Sequence, residues 1–219
     1  MTTWTLHWLE AAGDLGPWRE AIAAEILATR DMIAERMAPP RLDILIQRMR
    51  NGGIPEIGMV GYAHRASLFS LVVDPENTAF APSLGNGTLR RQVAHEVHHC
   101  LRMGGLGNGW SLGDALVSEG LAGHFVRWLF ATPPELWEDA VPAEELRAHL
   151  PSAEDLAAES YDHPAWFFGT GGQKPRWLGY TLGYRMVGAW WDAPDPDTIV
   201  DVPAETVIAA WRKAGAPVG

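Results

Sequence analysis

The chain has 219 residues, 47% of them hydrophobic, and carries 17 basic against 27 acidic side chains for a formal net charge of -10. That balance argues against a nucleic-acid partner, whose phosphates demand a basic face. A single cysteine rules out an internal disulfide, and no stretch approaches the length of a membrane span. The opening MTTWTLHWLEAAG lacks a basic segment leading into an apolar run, so no secretory signal is read there and a cytoplasmic location is expected.

Thr3 to Leu9 sets Trp4, Leu6 and Trp8 against Thr5 and His7, the alternation of a strand with one buried face. Gly16-Pro17 opens a helix with Trp18, Ile22, Ile26, Ile33 and Met37 at helical intervals, and Pro39-Pro40 closes it. LDILI, between that proline pair and Asn51-Gly52-Gly53, predicts a second strand. A third runs from Ile57 through Tyr62 toward Arg65, and LFSLVV, ended by Asp74-Pro75, is the most strand-like segment in the chain.

The stretch from Thr88 to Met103, TLRRQVAHEVHHCLRM, carries His95, Glu96 and His99 in the order H-E-x-x-H. On a helix, His95 and His99 project from nearly the same face one turn apart, so two imidazoles can share one metal ion. Glu96 leaves the helix about 100° round from His95, where a carboxylate can reach a bound water without being a ligand, as suits a general base. Asn86 and Thr88 offer a start to this helix; Gly104 and Gly105 stop it. A catalytic zinc takes a third protein ligand. Glu119 lies in SLGDALVSEGLAGHFVRWLF, a second helical pattern, inside an apolar surface where an unpaired carboxylate is costly and a metal ion would be its partner. Gly120 and Gly123 permit a close helix contact. Cys100 reads as a small buried thiol on the back of the first helix rather than a ligand or nucleophile.

Beyond Pro133-Pro134 come short helical pieces separated by Pro142 and Pro151, then WFFGTGG from Trp166 to Gly172, which reads as a loop. Pro175 to Trp191 predicts a helix with Tyr180 and Tyr184 one turn apart; either phenol could hydrogen-bond an oxyanion, and either could equally be a packed surface tyrosine. Arg185 is a weaker candidate for the same work. A final helix spans about Pro203 to Lys213. His64 and His163 read as surface histidines in loops that could border the cleft, His98 as a packing residue and His124 as off the Glu119 face. The eleven tryptophans are read as core and loop anchors.

VAHEVHHCLR followed by LVSEGLAGHF resembles the predicted zinc-dependent protease family long catalogued as a domain of unknown function, whose members are similar to gluzincins. The G-Y segment leading into a strand and Asp74-Pro75, and the late GYTLGY from Gly179 to Tyr184, match its pattern too. The resemblance implies His95, His99 and Glu119 as ligands of one Zn2+ ion and Glu96 as the catalytic carboxylate, and Asp114, similar to an acidic position upstream of the family's S-E-G, as a group that could orient a ligand histidine. It also implies that LFSLVV, the strand before the metal helix, forms a sheet edge over the cleft, an interior strand with no exposed edge being the alternative reading. The expectation is an α+β, zincin-like fold in a single domain, 1-219. Its strand-rich part, 1-85, contributes a small mixed or antiparallel sheet, packed on the metal helix of a mainly helical part, 86-219. The expected activity is zinc-dependent peptide-bond hydrolysis on a peptide or protein substrate. A non-catalytic zinc and peptide-binding module, or a hydrolase of a small non-peptide amide or modified peptide, is the alternative.

Overall fold

The computed structural model describes residues 3-191 and 196-215, and the chain divides into two compact units, Met1–Gly104 and Gly105–Gly219. The first is α+β. Strand β1 (Trp4–Leu9) is followed by helix α1 (Gly16–Ala34), β2 (Leu42–Arg48), the hairpin β3 (Met59–Arg65) and β4 (Leu68–Val73), a short α2 (Phe80–Gly85) and α3 (Thr88–Gly104). The four strands form one mixed sheet in the order β1-β2-β4-β3, parallel from β1 through β2 to β4 and antiparallel between β4 and β3.

Alternation drives the sheet: Phe69, Leu71 and Val73 of β4 are buried on one face, in line with Ile44 and Ile46 of β2. Ile22, Ile26 and Ile33 of α1 and Leu89, Val93 and Val97 of α3 complete the apolar interior. Arg90 of α3 grips Glu25 of α1 through two 2.7 Å hydrogen bonds, Nε to Oε2 and Nη2 to Oε1, which fixes the two helices against each other. Asp74, at the end of β4, is buried because its carboxylate accepts from the backbone N–H groups of Asn51 and Glu76, at 2.8 and 3.1 Å.

One expectation is corrected here. LFSLVV is not a sheet edge: β4 lies between β2 and β3, and the edge nearest it is β3. The short turn after Arg65 folds β3 back as a hairpin beside β4, so the earlier strand takes the outer position.

The second unit is helical: α4 (Leu112–Phe130), α5 (Ala143–Ala148), α6 (Ala153–Ala157), α7 (His163–Phe168), α8 (Leu178–Trp190), α9 (Pro196–Asp201) and α10 (Ala204–Lys213). Capping boxes start α4 at Ser111 with Asp114, and α6 at Ser152 with Asp155. The segment expected to be a loop from Trp166 is the end of α7, because the Asp162 side chain accepts from Ala165 N–H and Pro164 lies in the first turn; the loop begins at Gly169.

The unit is built on the α4–α8 contact. A Cβ placed on Gly120 would stand 2.1 Å from the Gly183 carbonyl oxygen, and one on Gly183 would stand 2.1 Å from that of Leu116. Both intruders would meet backbone, which cannot swing aside, so the two glycines set the helix separation. Around them pack Leu112, Leu116, Leu121, Leu178, Leu182, Met186, Val187 and Phe167. Gly120→Ala is expected to lower stability by about 2–3 kcal/mol in urea unfolding, against less than about 1 kcal/mol for Gly85→Ala, where nothing lies near the position and the backbone is not left-handed.

Candidate metal centre

Helix α3 begins where the Asn86 side-chain oxygen accepts from the Thr88 N–H, at 3.0 Å, and from its hydroxyl, at 2.7 Å. Two turns on, His95 and His99 bring their Nε2 atoms to 3.1 Å, with ring planes at 74°. Two nitrogens bound to one tetrahedral zinc ion at about 2.0–2.1 Å stand about 3.4 Å apart. The observed pair thus has the spacing that one shared cation requires, and its donor chemistry suits zinc. Both rings are nearly enclosed, at 8% and 7% exposure, so their nitrogens are shielded from solvent.

Glu96 is also buried, at 5% exposure. It lies directly against strand β3, where a Cβ on Gly61 would fall 2.3 Å from its Cγ and 2.5 Å from Oε1. His98 is fully enclosed, with its ring 6.0 Å from that of His99. Cys100 is likewise buried; burial first, and then the negative charge of Glu96, pushes its thiol up to about 12. A thiol so poised stays protonated at neutral pH, which leaves it a weak nucleophile.

In the second unit Glu119 is part-buried on α4, one turn beyond Ala115 and Leu116. Asp114, which the sequence offered as an orienting group, is spent on the cap: its Oδ2 accepts from the Trp110 and Ser111 N–H groups and from the Ser111 hydroxyl, at 3.2, 3.1 and 2.8 Å. Arg185 is exposed and paired with Asp139 at 2.8 Å. Tyr180 is part-buried among Phe167, Phe168 and Trp177. Tyr184 stacks on His124 with ring centroids 4.1 Å apart, its hydroxyl oxygen sealed from solvent. Burial raises that phenol above its usual range, and Arg127 offsets part of the shift.

Sequence reasoning set His163 aside as a surface histidine in a loop. It is not in a loop but opens α7, half-buried, with Nδ1 3.2 Å from the Tyr161 hydroxyl and its ring stacked 4.3 Å above Phe167. Burial lowers its basicity while the charge of Glu119 raises it, and the same carboxylate, after burial, raises the Tyr161 phenol. The signal available was the run Tyr161-Asp162-His163-Pro164, in which a cap and a proline start a helix and fix both rings. His64, by contrast, is exposed on β3 and bonded to the Ser70 hydroxyl at 2.9 Å.

A family model described as predicted zinc-dependent protease, a domain of unknown function, matches residues 27–209. The chain belongs to that family. Membership extends the likeness seen in the motifs from Gly61 upstream into α1 and downstream into α10, and brings with it a predicted zinc-dependent proteolytic activity. No curated protein and no solved structure matches the chain. No helix among the described residues is long and apolar enough to cross a membrane.

His124 supplies a test of this unit that is independent of any metal. Its Nε2 is 2.9 Å from the Tyr184 carbonyl oxygen, to which the neutral ring donates. Burial, partly offset by that bond, lowers its pKa from the ordinary 6.5 to about 4. The folded state therefore binds this proton more weakly than the unfolded one. Its contribution is whole above pH 6.5 and is lost as the pH falls toward 4, by about 3 kcal/mol. Urea titrations across that window should show the loss in the native chain and a flatter profile in His124→Gln.

Proposed function

We propose that this protein is a zinc-dependent metallopeptidase in which His95, His99 and Glu119 hold one Zn2+ ion and Glu96 is the general base. The observation that carries the reading is the buried pair of Nε2 atoms 3.1 Å apart on α3. It is supported by the donor types, two imidazoles and the part-buried carboxylate of Glu119 on α4, and by the family's predicted activity. Two neutral imidazoles and one carboxylate are a donor set that catalytic zinc takes, leaving a position for water.

A zinc ion held there would polarise a carbonyl and make bound water acidic near neutral pH. Glu96 accepts the proton from the attacking water and returns it to the leaving amine. A second polar group must steady the charge on the carbonyl oxygen. Of the two tyrosines on α8, Tyr180 is the one left part-exposed, whereas the Tyr184 hydroxyl is enclosed beside His124; the role falls to Tyr180 in preference to Tyr184. The peptide class of substrate is favoured by β3, an edge strand whose unpaired backbone groups can take up an extended chain beside Glu96.

The assignments separate experimentally. Elemental analysis should find one zinc per chain, and a peptide library should be cleaved unless a chelator is added. Glu96→Gln is expected to keep the metal and lose at least about 10³-fold in kcat, whereas His95→Ala and Glu119→Ala lose the metal itself. A zinc-loaded protein that cleaves no peptide would instead be a binding module, and full turnover by Glu96→Gln would remove the assigned base.

A further inference from the structure

The proposed chemistry depends on where the Glu96 carboxylate sits, and the position of that carboxylate depends on a residue in another element. Gly61 is in the middle of β3, paired with Leu71 of β4. Its φ is not in the left-handed region, so its backbone is one that any amino acid adopts. Glycine inside a strand is unfavourable by about 0.5–1 kcal/mol relative to alanine. The conformation gives no reason for it. The reason is space: all three atoms nearest to a Cβ at this position belong to Glu96, namely Cγ at 2.3 Å, Cδ at 2.5 Å and Oε1 at 2.5 Å.

The nearest of these is Cγ, in the middle of the side chain rather than at its tip. A methyl group on residue 61 could not be accommodated by a small turn of the carboxylate. The Glu96 side chain would have to leave its χ1 well, carrying both oxygens away by ångströms. No backbone atom is among the three, so β3 and α3 can keep their places while the carboxylate moves. His95 and His99 leave the helix on another face and are untouched by the change.

We infer that Gly61 is a positioning residue for the general base: the missing side chain on the edge strand is the slot in which the Glu96 carboxylate is held for proton transfer. This rests on the metallopeptidase reading above. It assigns to the glycine a duty separate from metal binding and from strand formation.

The test is a set of variants in the full chain loaded with zinc. Gly61→Ala should retain one zinc per chain and lose about 10²-fold or more in kcat, with KM changed less than about threefold, because proton transfer tolerates little misplacement. Glu96→Ala alone should also lose activity, since it removes the base together with the Cγ that meets residue 61. Alanine at position 96 has no Cγ and leaves room for the methyl group, so adding Gly61→Ala to Glu96→Ala should cost less than about threefold more, far from the product of the single effects. A kcat for Gly61→Ala within threefold of wild type, loss of its zinc, or multiplicative effects in the double variant would overturn the inference.

Thermal unfolding gives a readout free of turnover and holds even if Gly61→Ala folds poorly. The substitution should lower Tm in the wild-type background and have little effect in Glu96→Ala, where the colliding side chain is gone. An equal drop in both backgrounds would show that the glycine serves the strand and not the carboxylate. If the wild-type protein cleaves no peptide while the Tm cycle behaves as expected, the peptidase reading fails and the Gly61–Glu96 contact stands.

Discussion

Two imidazoles one helical turn apart, enclosed with their Nε2 atoms 3.1 Å from each other, are the constraint on which the first unit depends. Holding them on a rigid helix places the donors before any cation arrives, so little ordering remains to be done on binding. Helix α3 is rigid because apolar residues on its other faces enter the interior beside α1, and because Arg90 locks onto Glu25 in a paired, two-bond grip. The sheet finishes the arrangement by offering α3 a strand with a gap in its side chains.

The second unit answers a different problem. Its helices α5, α6 and α7 are only five or six residues long and could not persist alone. They are held by caps and by large rings. Trp137, Trp166 and Trp177 are buried, and Lys174 and Arg176 lie over Trp166 and Trp177 at 4.3 and 4.1 Å. Three of the eleven tryptophans thus use their aromatic surface to anchor short pieces, whereas Trp110 is 83% exposed. The same economy explains why α4 and α8 approach so closely: their glycines let one long contact serve as the frame for everything shorter.

Much of this could be read from the residues in order. The alternation of Trp4, Leu6 and Trp8, the proline at the head of α1 and the spacing of His95 and His99 are local signals, and each corresponds to an element in the structure. What could not be read was whatever depends on neighbours distant in sequence. LFSLVV is apolar enough for an edge or an interior strand; only the hairpin with β3 decides which. Asp114 looked like a free carboxylate until its hydrogen bonds to Ser111 were known. Gly61 gave no hint of its relation to Glu96, thirty-five positions on, because the absence of a side chain records nothing about what fills the space.

The strand β1 has a consequence for how this family is handled in isolation. The family match begins at residue 27, inside α1, yet Trp4 to Leu9 pair with Leu42 to Gln47 along six successive positions of β2. A fragment trimmed to the matched boundaries would strip that neighbour and the first turns of α1. The hydrogen-bonding groups of Leu-Asp-Ile-Leu-Ile would then lie bare along an apolar ribbon, a template for self-association between molecules. The residues outside the shared region act as a selvedge, keeping the woven edge of the sheet from catching on its own copies.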